Sequence, residues 1–167
     1  MSDKALLHNL FDRPSRGSPR PTLVPKEPDA EEGSVAAFGF LRGLDARALA
    51  VEFRFRDGNR DAYSYSLLSS WRYNPSAGLL LKFTSDLVTL VLVHGSNLDA
   101  EVPDKGVNLV DRGLARHRIT YIQEMREEDL RRAGQGEPTI DDIEVAECES
   151  AEQVREWLQQ HAPLFLR

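Results

Sequence analysis

Between Leu49 and His94, hydrophobic and polar positions alternate in four successive runs. "ALAVEFRFR" places Leu49, Val51, Phe53 and Phe55 on one parity, and "RDAYSYSLLSSWRY" does the same for Tyr63, Tyr65, Leu67, Trp71 and Tyr73. "LLLKFT" and "LVTLVLVH" follow. A period of two is the signature of strands that bury one face. The breaks at Asp57-Gly58-Asn59, at Asn74 to Gly78 and at Ser85-Asp86 hold turn-forming residues. The pattern predicts a four-stranded antiparallel meander.

Loop lengths predict the register. A three-residue loop at Asp57-Gly58-Asn59 sets Phe53 opposite Tyr63, Val51 opposite Tyr65 and Leu49 opposite Leu67. Closing the second loop over residues 74–78 sets Trp71 opposite Leu81. Closing the third over Ser85-Asp86 sets Phe83 opposite Val88 and Leu81 opposite Leu90. A one-residue slip would exchange the faces, and these three registers agree on a single core face. The run Arg60 to Tyr73 is long for one flat strand, so it is expected to bend as the sheet curls towards a barrel. The fourth strand is apolar on both parities. Leu80, Val91 and Val93 then point away from the core and need a cover, either the C-terminal helix or a second subunit.

Downstream, Val107, Val110 and Leu114 in "VNLVDRGLARH" have helical spacing, and "RITYIQE" reads as a fifth strand. "EEDLRRAGQGEPTIDD" reads as a charged loop and "IEVAE" as an edge strand. Ser150 to Gln153 has the spacing of a capping box. The helix it opens carries Val154, Trp157, Leu158 and His161 in one stripe, and Pro163 ends it. Residues 35–43 fit either a strand or a helical turn. The expectation is an α+β fold: a curled, small-barrel-like antiparallel sheet of about five strands, covered by one or two helices, over residues 35–162. Residues 163–167 form a tail.

Residues 1–34 are expected to form an extended arm. Five of the nine prolines fall between residues 14 and 34, which precludes a helix or a ladder there. Ahead of them, Leu6, Leu7, Leu10 and Phe11 share one side of a short helix that needs a surface to lie on. These four are the candidate partner-binding residues, docking in a protein partner's groove.

Composition narrows the function classes. Hydrophobic content is 41% and charged content 29% over 167 residues, as in a globular domain. No apolar run reaches the roughly 20 residues of a membrane helix. The start "MSDKALLHNLFDR" lacks a leader layout, and a lone Cys148 excludes a disulfide framework, so a cytoplasmic setting is expected. The net charge of −6 resides in residues 126–167, with five basic and eleven acidic groups. An acidic chain is a poor prior for duplex DNA binding.

Candidate chemistry is sparse. In His94-Gly95-Ser96-Asn97, parity with Leu90 and Leu92 aims His94 inward, and Ser96 or Asn97 is placed to start a helical turn. The G-x-S-x-G elbow is absent, so the stretch reads as a strand-to-helix turn. His8, His94, His117 and His161 lack the i, i+4 spacing of a helical zinc pair, and no metal or cofactor is expected. Cys148 lies among carboxylates, which raise a thiol's pKa. Asp141, Asp142 and Glu144 are carboxylates that could bind a cation, but the loop spacing of a calcium hand is missing, so they read as a solvated charged loop.

The leading expectation is a non-catalytic protein-binding or adaptor module, with homo-oligomerisation open. An alternative is a small-barrel binder of single-stranded RNA or DNA through Arg54, Arg56, Trp71, Arg72 and Tyr73, since stacking surfaces interleave cations with aromatic rings. A third is an enzyme whose site assembles around His94.

Overall fold

The computed structural model describes residues 31–166. Along them run β1 (Glu32–Ser34), β2 (Phe38–Leu41), β3 (Ala50–Arg54), β4 (Arg60–Ser64), β5 (Leu68–Asn74), β6 (Gly78–Thr84), β7 (Val88–Ser96), β8 (Ile119–Gln123) and β9 (Thr139–Cys148). Two α-helices accompany them, α1 (Glu127–Arg132) and α2 (Ala151–His161). The class is α+β, as the sequence predicts. The strands form two sheets, β1-β2-β8-β3-β4 and β5-β6-β7-β9, and not one curled sheet or a closed barrel. All pairings are antiparallel except β3 with β8.

The reason lies at Tyr65. The alternation from Arg60 to Tyr73 predicts one bent strand, but a 3-10 turn at Tyr65–Leu67 breaks it and carries the chain from the first sheet to the second. Ser64 caps this turn, its Oγ accepting from the Ser66 N–H at 3.2 Å. Tyr65 anchors it: the ring is buried against His117, and its hydroxyl donates to the Ile119 carbonyl at 2.9 Å. The meander is therefore split, and its two halves face each other. Between them lies the main core, including Phe38, Val51, Phe53, Leu79, Leu81, Phe83, Val91, Val93 and Ile122. Each such side chain contributes about 1.5–3 kcal/mol on burial.

Of the three hairpin registers, only the second matches. Trp71 stands opposite Leu81, and Asn74 opposite Gly78. In the first hairpin Val51, not Phe53, faces Tyr63. The loop is Arg56-Asp57-Gly58, closed by Phe55 N–H to the Asn59 carbonyl, with Gly58 at φ 94°. The slip is two residues, so Val51 and Phe53 stay inside. Leu49 falls outside the strand and is 88% exposed, not a core residue. In the third hairpin the slip is one residue. Phe83 faces Thr89 and Leu81 faces Val91, so Val91 and Val93 enter the core while Leu90 and Leu92 turn outward.

That outward face is covered by α2. Leu80, Leu90, Leu92 and Cys148 pack under Leu158, Ala162 and Phe165, with Val154 and Trp157 beside them. The N-cap forms as predicted, Ser150 Oγ accepting from the Gln153 N–H, while Gln153 Oε1 reaches back one residue past the cap and accepts from the Glu149 N–H. A short 3-10 turn at Pro163–Phe165 follows the helix, so Phe165, assigned from sequence to the tail, is buried. At the other end β1 draws Glu32–Ser34, assigned to the arm, into the first sheet.

The helix expected over residues 107–117 does not form. Val107, Val110 and Leu114 are buried as their spacing suggests, but on a turn-rich path with only a 3-10 turn at Leu114–Arg116. Asn108 Oδ1 accepts from the Arg112 N–H, so a side chain competes for backbone groups there. Conversely, α1 forms within the stretch read as a loop, and residues 35–43 contain the strand β2.

Candidate functional site

The β7–β9 ladder places His94 opposite Asp142 and Leu92 opposite Glu144. Alternation then puts His94, Asp142 and Glu144 on the face that carries Leu90 and Leu92, beneath α2. A bulge between His94 and Gly95 inserts Asp141, so Gly95 pairs with Ile140. A Cβ at Gly95 would lie 2.0 Å from the Thr139 carbonyl oxygen, so the close approach here requires glycine. Asp141 and Asp142 thus belong to a strand, not to the loop expected from sequence, and Glu144 lies on the edge strand that "IEVAE" predicts.

The helix brings the fourth group. The stripe of α2 ends in His161, whose ring stacks on Trp157 with centroids 4.6 Å apart. His94 Nε2 lies 2.8 Å from Glu144 Oε1, and His161 Nδ1 lies 2.5 Å from Glu144 Oε2. One carboxylate is held by two imidazoles, each side chain about one-third exposed. Asp142 completes the group: His94, Asp142 and Glu144 offer ligand-type atoms that all lie within 4.8 Å of one another. Asp142 is exposed over much of its surface, yet the atoms around its carboxyl raise its pKa, and Glu124 and Glu144 add to this. His94 and Arg56 pull it the other way.

Sequence spacing missed this cluster because its members are distant along the chain. The local signs are small: Asp142 and Glu144 at strand spacing, and His161 on an apolar helical stripe. The expected helical start after His94 is absent. Asn97 instead takes a left-handed conformation, φ 56°, and accepts the Ala100 N–H in a turn. Among the described residues no hydrogen bond joins Ser96 to His94; the imidazole is bonded to Glu144.

The other candidates are dispersed. Arg54 pairs with Glu52 and lies over the Tyr121 ring at 3.6 Å. Arg56 donates to the Asp141 carbonyl at 2.5 Å. Trp71 is half-buried against the inter-sheet core. Its neighbour Arg72 projects from the opposite face and donates to the Phe165 carbonyl at 2.7 Å. Tyr73 donates to Asp99 Oδ1 at 2.9 Å. Arg54 and Arg56 line one surface cleft, of about 190 Å³. Arg72 and Tyr73 line another, of about 380 Å³, with Leu164 and Phe165. The thiol of Cys148 is buried, and burial rather than its acidic neighbours raises its pKa. Leu6, Leu7, Leu10 and Phe11 lie outside the described residues.

No protein-family model, curated protein or solved structure matches this chain.

Proposed function

We propose that this chain is a non-catalytic protein-binding module, with the apolar side of its N-terminal segment, Leu6, Leu7, Leu10 and Phe11, as the element that captures the partner. The observation that carries the reading is how the polar candidates of the body are engaged. Arg54, Arg56, Arg72 and Tyr73 each hold an internal partner, and His94 and His161 are each bonded to Glu144. These groups join strand to strand and helix to sheet. The body then acts as a carrier, and recognition falls to the arm.

Nucleic-acid binding is the weaker reading. It needs Trp71 and Arg72 on one surface, whereas neighbours in a strand point to opposite faces. The enzyme reading has less support still, since His94 serves Glu144 rather than a nucleophile.

Truncation of residues 1–13 tests the proposal. The truncated chain is expected to keep its melting temperature and to lose the partners that the full chain retains through nuclease treatment in pull-downs. An unchanged partner set would overturn it. Partners that vanish with nuclease would favour the nucleic-acid reading.

A further inference from the structure

We propose that His94, Asp142 and Glu144 bind a divalent transition-metal ion of the zinc class, with His161 as the residue that positions Glu144. Donor chemistry is the first argument. Imidazole combined with carboxylate suits zinc, cobalt or nickel, whereas magnesium and calcium prefer all-oxygen sites.

Geometry is the second. Zinc binds nitrogen and oxygen at about 2.0–2.2 Å, so tetrahedral ligand atoms stand about 3.3 Å apart. His94 Nε2 and Glu144 Oε1 already converge to 2.8 Å, and one ligand atom each from His94, Asp142 and Glu144 lie within 4.8 Å of one another. Side-chain rotation of Asp142 and a small retreat of Glu144 would open the place for an ion. The His94–Glu144 hydrogen bond would give way to two metal bonds.

The third argument is the platform. All three ligands stand on two paired strands, where the regular ladder sets Asp142 opposite His94 and Glu144 opposite Leu92. Leu90 and Leu92 pack beneath the helix next to them. His161 holds the other oxygen of Glu144, and Trp157 stacks on His161. A ligating carboxylate that is itself hydrogen-bonded is the usual outer-shell arrangement. Partial exposure of His94 and Glu144 leaves room for water to complete the coordination. The site is also short of positive charge: Asp142 faces Glu124 and Glu144, with Arg56 as the nearby cation, and the Arg56 guanidinium donates to the Asp141 carbonyl.

The test is a titration of tag-free, full-length protein with cobalt(II), read by visible d–d absorption, followed by zinc. One equivalent of cobalt is expected to produce a saturable band that zinc abolishes. The band should be missing in His94→Ala and in Asp142→Asn. His161→Ala should bind about 10–100-fold more weakly, as outer-shell losses do. Asp142→Asn keeps the side-chain shape at an exposed position, so it decides the matter if His94→Ala loosens the fold. No saturable band in the wild type would overturn the proposal. So would a band unchanged in both ligand variants, which would place the ion elsewhere, at His8 or His117 for example.

Discussion

His161 stands against Glu144, its Nδ1 2.5 Å from Oε2, so the last turn of α2 is tied to the edge strand of the second sheet. Glu144 also receives His94, so one carboxylate joins helix, edge strand and central strand. Glu144→Ala is expected to cost about 1–2 kcal/mol in chelator-treated buffer, since two hydrogen bonds are lost at a site that solvent partly screens. Urea unfolding checks this. The midpoint should fall with an unchanged slope, because the packing of the sheets does not depend on the contact.

Leu92 and Leu49 provide a sharper contrast. Leu92 is fully buried under α2, and Leu49 is 88% exposed. Leu92→Ala should destabilise by about 2–5 kcal/mol, the range for a buried leucine replaced by a cavity. Leu49→Ala should stay within about 0.5 kcal/mol of the wild type. Thermal unfolding of the two variants measures both. Equal losses would contradict the placement of Leu49 outside the core.

Alkaline pH should weaken the fold through its tyrosines. Tyr73 is pushed from 10.0 up to about 12, by desolvation first and then by its bond to Asp99. Burial raises Tyr65 as well, and Tyr63 to a lesser degree. A phenol whose pKa is higher folded than unfolded keeps its proton longer in the native state. Above pH 10 the unfolded chain therefore binds fewer protons, and stability falls as pH rises. The contribution is complete below the unfolded pKa and is lost as pH climbs through the folded one. Phenolate absorbance should show native tyrosines titrating late, and Tyr73→Phe should remove one of the late transitions.

The strands of the meander were legible because their alternation is strong, and the α2 stripe with its capping box was legible for the same local reason. The third register was not. β7 carries Leu90 and Leu92 on one parity and Val91 and Val93 on the other, so either register presents an apolar face and pattern alone does not choose. The corner at Tyr65 was hidden because Tyr63, Tyr65, Leu67, Trp71 and Tyr73 share one parity, interrupted only at Ser69, with Ser64 and Ser66 as signs of a cap. The helix expected at residues 107–117 failed on Asn108, whose side chain bonds the backbone locally. The cluster at Glu144 needed two long-range facts at once, the β7–β9 register and the seating of α2, and neither is written in a short stretch of chain.

The place of β8 in the first sheet bears on how the chain is made. It inserts between β2 and β3, which precede it by a long stretch and do not pair with each other. Until Ile119–Gln123 leaves the ribosome, the nascent first sheet holds an open slot flanked by two unpaired strand edges. The second sheet lacks only its edge strand β9, which leaves one side of β7 unpaired until Thr139–Cys148 is made. Such separated pairings close slowly, and exposed edges invite pairing with other chains. A chain ended before Ile119 is therefore expected to aggregate more readily than the full chain, which light scattering of the two at equal concentration would check.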